Sequence, residues 1–201
     1  MNSKTILGIS LAAIFAILVA IPLADAGGHL TITDSEVTVK NSSTLEAKIK
    51  VTGKIPTKGG SLFGYGIITD LTGFNNVLAL TSHAGAFDHT SQSSPSDPVF
   101  HAHILDLAGP GTIGDPCSTA SYDAVVNFVS SVSSGNNIDA QYPVSVGGNN
   151  IKVKNVPVSD LNDSGVEAIV AFTITGVDSD PNAPVPLPYL CLDVVGLGVG
   201  L

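Results

Sequence analysis

The sequence predicts an all-β protein, a single antiparallel β-sandwich of immunoglobulin-like or jelly-roll type, following an N-terminal signal peptide. Three observations predict it. Beyond residue 26, short runs rich in Val, Ile and Thr alternate with clusters of Gly, Pro, Asn, Asp and Ser. The same region has no long apolar stripe at helical spacing. The first 26 residues carry the grammar of an export signal.

That leader starts with a short segment bearing Lys4, continues in an apolar run over residues 6–21, and is broken at Pro22. Ala24-Asp25-Ala26 then puts small side chains where a signal peptidase reads them, so cleavage is expected after Ala26. The competing reading is a retained anchor, but the run falls short of the roughly 20 residues that span a bilayer. No Cys follows it to take a lipid. Residues 27–201 are therefore expected to form one β-sandwich domain, secreted or at the cell surface, with no stable membrane span after cleavage.

Within that domain, residues 30–33 and 37–39 read as short strands around Asp34-Ser35. Residues 45–51, Leu-Glu-Ala-Lys-Ile-Lys-Val, alternate apolar with charged side chains, so one face meets a core and the other meets water. Further strands are expected over residues 64–69, 77–81, 99–107, 124–130, 151–156, 167–175 and 187–195. Gly-rich turns separate them, among them Gly109-Pro110-Gly111 and Gly147-Gly148-Asn149-Asn150. β-Branched side chains favour a strand near residues 123–132, with a short helix as the alternative. Ser- and Pro-rich residues 90–98 and Pro-rich residues 178–188 read as loops. Residues 194–201 are apolar and uncharged. They read as the last strand of the sheet or, alternatively, as a self-association contact.

Composition narrows function by exclusion. Lys+Arg number 8 against 17 Asp+Glu, giving a net charge of −9, and every basic residue is Lys. Nucleic acid is thus not expected as a partner, since the net charge repels a phosphate backbone and there is no guanidinium fork. Charged residues make up only 12%, too few for a disordered acidic tail. The two cysteines, Cys117 and Cys191, are expected to form one disulfide in an oxidising compartment. Closing a loop of about 75 residues would restrict the unfolded chain by roughly 4.5 kcal/mol. Two buried thiols are the alternative.

The histidines carry the only hint of chemistry. Four of the five, His83, His89, His101 and His103, lie between residues 83 and 103. His101-Ala102-His103 falls in an expected strand, where residues two apart share a face and two imidazoles can close on one ion. Three or four imidazoles suit zinc or copper(II). The candidate metal ligands are therefore His83, His89, His101 and His103, with Asp88 and Asp106 as carboxylates that could orient a ring. The bland alternative is a set of surface or hydrogen-bonded histidines.

Over about residues 99–106 this pattern resembles the copper strand of copper/zinc superoxide dismutases and the short histidine motif of chordin-type extracellular β-domains. The dismutase pattern also needs a bridging histidine, a zinc carboxylate cluster and a guiding arginine, and this chain has no arginine. Blue-copper chemistry needs a free thiolate and usually an axial Met; Met1 is the sole methionine.

Asp160-Leu161-Asn162-Asp163-Ser164-Gly165 offers oxygens at Asp160, Asn162 and Ser164, as an EF-hand loop does, but its twelfth position is Ala171, so a full calcium site is not expected. Asp178, Asp180 and Asn182 are a weaker version of the same idea. Asn41-Ser42-Ser43 and Asn162-Asp163-Ser164 are glycosylation sequons. Neither a nucleophile elbow nor a phosphate-binding Gly loop is present. The sequence therefore predicts an extracytoplasmic, non-catalytic β-module with a histidine metal site. Its rivals are a secreted zinc or copper metalloenzyme and a structural subunit of a surface layer or filament.

Overall fold

The computed structural model describes residues 28–56, 62–82, 100–117, 122–136, 140, 142–161, 165–177 and 189–198. The expected leader lies outside them, as do the expected loops of residues 90–98 and 178–188. Among the described residues the protein is all-β, with two antiparallel sheets. The smaller sheet has the order β1 (Ile32–Lys40), β2 (Thr44–Val51), β9 (Asn150–Pro157), β8 (Val144–Gly147). The larger runs β5 (His101–Leu105), β4 (Val77–Ser82), β3 (Phe63–Ile68), β10 (Ala168–Val177), β11 (Tyr189–Leu197), β7 (Ala124–Val126), β6 (Leu107–Ala108). Its outer strands, β5 and β6, are separated in sequence by Asp106 alone. The sheet therefore rolls until its two borders nearly meet, giving an almost barrel-like form.

Two apolar clusters follow from this roll. One is shared between the sheets and joins Leu45, Ile49, Val51, Ile151 and Val153 of the smaller sheet to Phe63, Tyr65, Ile67, Leu78, Leu80, Ile104 and Ile169 of the larger. The other lies on the opposite face of the larger sheet, inside the roll, and holds Ile68, Val77, Ala79, Leu105, Val126, Val170, Phe172, Ile174 and Leu192. Each large aliphatic side chain withdrawn from water in either cluster contributes about 1.5–3 kcal/mol.

Local sequence explains the difference between the sheets. In β2, Leu45, Ala47, Ile49 and Val51 are buried while Lys48 and Lys50 are exposed, so the period of two is visible. Every residue of β3 and β4 is buried, because both faces of these strands are covered. Phe63-Gly64-Tyr65-Gly66-Ile67 accordingly shows no polar alternation. Instead it alternates large residues toward the shared cluster with glycines toward the inside of the roll.

Several expectations need correction. Residues 30–33 and 37–39 are not two strands: β1 is continuous from Ile32 to Lys40, with a register irregularity between Ile32 and Asp34. The extra residue is Thr33, and Asp34 and Ser35 pair regularly with Lys50 and Ile49, so the polar pair does not end the strand. The expected strand over residues 124–130 stops at Val126 and becomes a short helix, α1 (Phe128–Ser133). Asn127 Oδ1 accepts the Ser130 N–H at 3.0 Å, and this cap outweighs the strand preference of the valines. β8 was not expected at all. It pairs with β9 across a turn containing Gly148, whose φ of +63° suits glycine.

Residues 194–197 belong to β11 and pair with β10. Cys117 and Cys191 form a disulfide, with Cα atoms 5.7 Å apart, in a third small cluster with Val125. No helix among the described residues is long and apolar enough to cross a membrane.

Candidate functional site

His101 and His103 sit on β5, and their side chains emerge on the face that lines the inside of the roll, together with Leu105. Their ring centroids are 4.6 Å apart, with the planes inclined at 73°. His103 is buried and His101 half-buried. A metal–nitrogen bond is about 2.0–2.1 Å, so rings at this spacing can bind one ion from either side.

The register fixes what surrounds them. Across the β5–β4 ladder His101 faces Thr81 and His103 faces Ala79. One strand further, Thr81 faces Gly64 and Ala79 faces Gly66. Beyond that, Gly64 faces Phe172 and Gly66 faces Val170 on β10. The glycines clear space for the Phe172 ring: a Cβ on Gly64 would lie 2.8 Å from Phe172 Cζ and 2.8 Å from Thr81 Cγ2. In this apolar lining Thr81 is an exception, because its Oγ1 is buried and has no hydrogen-bond partner. Sequence reasoning did not single out Thr81.

Asp106 does not orient an imidazole. It lies between β5 and β6, outside both strands, where other segments take up its carboxylate. There Oδ1 accepts from the Asn76 N–H at 3.0 Å and Asn136 Nδ2 at 2.8 Å. Oδ2 accepts from Ser130 Oγ at 2.7 Å and Ser134 Oγ at 3.2 Å. The backbone joins in, as Asp106 N donates to Ser131 Oγ at 2.8 Å and Asp106 O accepts from Asn127 N at 2.9 Å. Burial pushes the carboxyl group up, but the four donors outweigh it and hold the group below the usual carboxylate range. Asp106 is thus the clasp that ties α1 and the turn before β4 to the β5–β6 junction.

His83, His89 and Asp88 lie outside the described residues, as do Asn162, Ser164, Asp178, Asp180 and Asn182. Among the described residues no group of three or more His, Cys, Asp or Glu side chains is placed to hold a metal ion. His29 packs edge-on against Phe63 in the shared cluster, at 4.7 Å between centroids, and burial lowers its pKa. It is on the opposite face from the pair. Asp160 lies within a 3-10 turn (Val158–Leu161), where its carboxylate takes the Tyr142 hydroxyl and its carbonyl takes Asn76 Nδ2.

A second acidic feature was also missed. Continuing the β11–β7 register by one residue beyond Leu192↔Ala124 brings Asp123 opposite Asp193. Asp123 Oδ2 accepts the Val194 N–H at 2.8 Å. Burial, followed by the charge and hydrogen bond of Asp123, raises the Asp193 pKa. No protein-family model, curated protein or solved structure matches this chain.

Proposed function

We propose that the chain is an exported β-sandwich module, secreted or displayed at the cell surface and without catalysis of its own, that binds zinc or copper(II) through a histidine cluster. His101 and His103 supply the fixed half of the site. His83 and His89 are the proposed further ligands, with Asp88 able to orient one of them. The observation that carries this reading is the same-face pairing of His101 and His103, with ring centroids 4.6 Å apart. One ring is buried inside an apolar roll, where an ion bound to neutral imidazoles would be shielded from competing water. The leader-like N-terminus and the Cys117–Cys191 disulfide support an oxidising compartment outside the cytoplasm.

Titration of the full chain with zinc and with copper(II) tests the reading. Saturable binding near one equivalent is expected, lost in the His101→Ala/His103→Ala double variant and weakened in His83→Ala and His89→Ala. Affinity no tighter than about millimolar, or affinity unchanged in the double variant, overturns it.

A further inference from the structure

Thr81 is 4% exposed, and its hydroxyl oxygen is the one buried side-chain polar atom among the described residues that lacks a hydrogen-bond partner. A threonine used only for packing would be better replaced by valine, which has the same shape and no polar atom to satisfy. The methyl group is already accounted for, since it crowds the space above Gly64. The hydroxyl is not. Thr81 stands directly opposite His101 in the β4–β5 ladder, a position that sets the two Cβ atoms about 4.5–5.5 Å apart on one face. The other residues opposite or beside it on β3, β4 and β10, namely Ala79, Gly64, Gly66, Val170 and Phe172, carry no polar side-chain atom. Among the described residues of β3, β4 and β10, this wall offers the imidazoles one hydroxyl and otherwise hydrocarbon.

We infer that the Thr81 hydroxyl is the hydrogen-bond donor to an exchangeable small ligand, water or a small anion, carried by the ion that His101 and His103 bind. The inference rests on the metal reading above and deepens it. An ion that keeps one coordination position for a non-protein ligand presents that ligand's lone pairs to the surroundings, and Thr81, opposite His101, carries the unpartnered hydroxyl among the described residues that can donate to them. The ligand is small because Phe172, Val170 and the flanking strands fill the rest of the roll.

The test loads the full chain with copper(II) and titrates azide, following the azide-to-copper charge-transfer absorption, in wild type, Thr81→Val and Thr81→Ser. Copper affinity is expected to stay within about twofold in all three, while azide binds about tenfold more weakly to Thr81→Val and normally to Thr81→Ser, as loss of one hydrogen bond requires. The metal-free Thr81→Val protein is expected to melt no lower than wild type, because an orphaned hydroxyl has been removed. Equal azide affinity in wild type and Thr81→Val overturns the inference. So does a copper affinity that falls in Thr81→Val, which would make the hydroxyl a direct ligand. Failure of wild type to bind copper, seen before any azide is added, overturns the metal reading itself and this inference with it. Should Thr81→Val not fold, Thr81→Ala carries the same expectations for copper and azide.

Discussion

The Phe172 ring on β10 lies over Gly64 on β3, and a Cβ at residue 64 would come within 2.8 Å of Phe172 Cζ and 2.7 Å of the Leu80 carbonyl oxygen. The carbonyl cannot swing away without breaking the ladder. Gly64→Ala is therefore expected to destabilise the fold by about 1–3 kcal/mol, and Phe172→Ala, which opens a cavity, by about 3–5 kcal/mol. Urea unfolding of the full chain checks both. If the ring and the glycine are coupled, the double variant loses less than the sum of the two; strict additivity would show that they are not.

Removing the clasp at Asp106 should be among the most damaging single changes. Asp106→Ala leaves the Asn76 N–H and the Asn136 amide without their acceptor in a site that is 2% exposed. A loss of about 3 kcal/mol or more is expected.

The same residue shapes the acid limb of the stability curve. Its folded pKa is held below the unfolded value despite burial. The stabilisation is therefore complete above the unfolded pKa of about 3.9 and is lost as pH falls through the lower folded value. Thermal melts from pH 2 to pH 7 should show wild type losing stability at the acid end, with Asp106→Asn less stable at pH 7 and flatter below pH 4. Parallel curves would refute this assignment.

Asp193 has the opposite sign. Burial and the neighbouring Asp123 raise its folded pKa, so its contribution is fully present below the unfolded pKa of about 3.9 and is lost as pH rises through the folded value. Asp193→Asn should raise the melting temperature at pH 7 and leave it nearly unchanged at pH 3. An equal gain at both pH values would mean that titration is not the cause.

Reducing the Cys117–Cys191 bond releases a constraint across 74 residues of sequence separation. Unfolding in the presence of a reductant should move to lower urea, by a free-energy difference of roughly 4–5 kcal/mol on the chain-entropy account. A midpoint that does not move, with thiol titration confirming reduction, would show that the cross-link adds nothing to stability.

The legible parts of this molecule were those governed by near neighbours. The alternation of residues 45–51 announces β2 because one face meets lysines and water. The same-face placement of His101 and His103 follows from strand geometry alone. The disulfide follows from there being two cysteines. β3 and β4 were legible as strands, but their two-sided burial was not, since Gly64 and Gly66 carry no side chain to show that their face is covered. α1 was ambiguous because its decisive signal, the Asn127 side chain capping Ser130 N, competes with a valine-rich context. β8 is four residues long and follows Pro143, too short for a periodic signal.

The site resisted reading for a different reason. Thr81 and His101 are opposite only because β4 and β5 pair in one particular register, and a shift of a single residue would turn every side chain to the other face. Asp106 drew attention as a neighbour of the histidines along the chain. Its carboxylate instead meets serines and asparagines contributed by two other segments. Asp123 and Asp193 are likewise brought together by pairing, and no local pattern announces it.

Because one short stretch of chain, bent at Asp106, serves as both borders of the larger sheet, that sheet offers few bare amides for a foreign strand to zip onto. Among the described residues the longest outer strand is β1, on the smaller sheet, where Glu36 and Lys40 interrupt any sticky run. A protein arranged this way should resist amyloid-like stacking in concentrated solution even though so little of its sequence is charged.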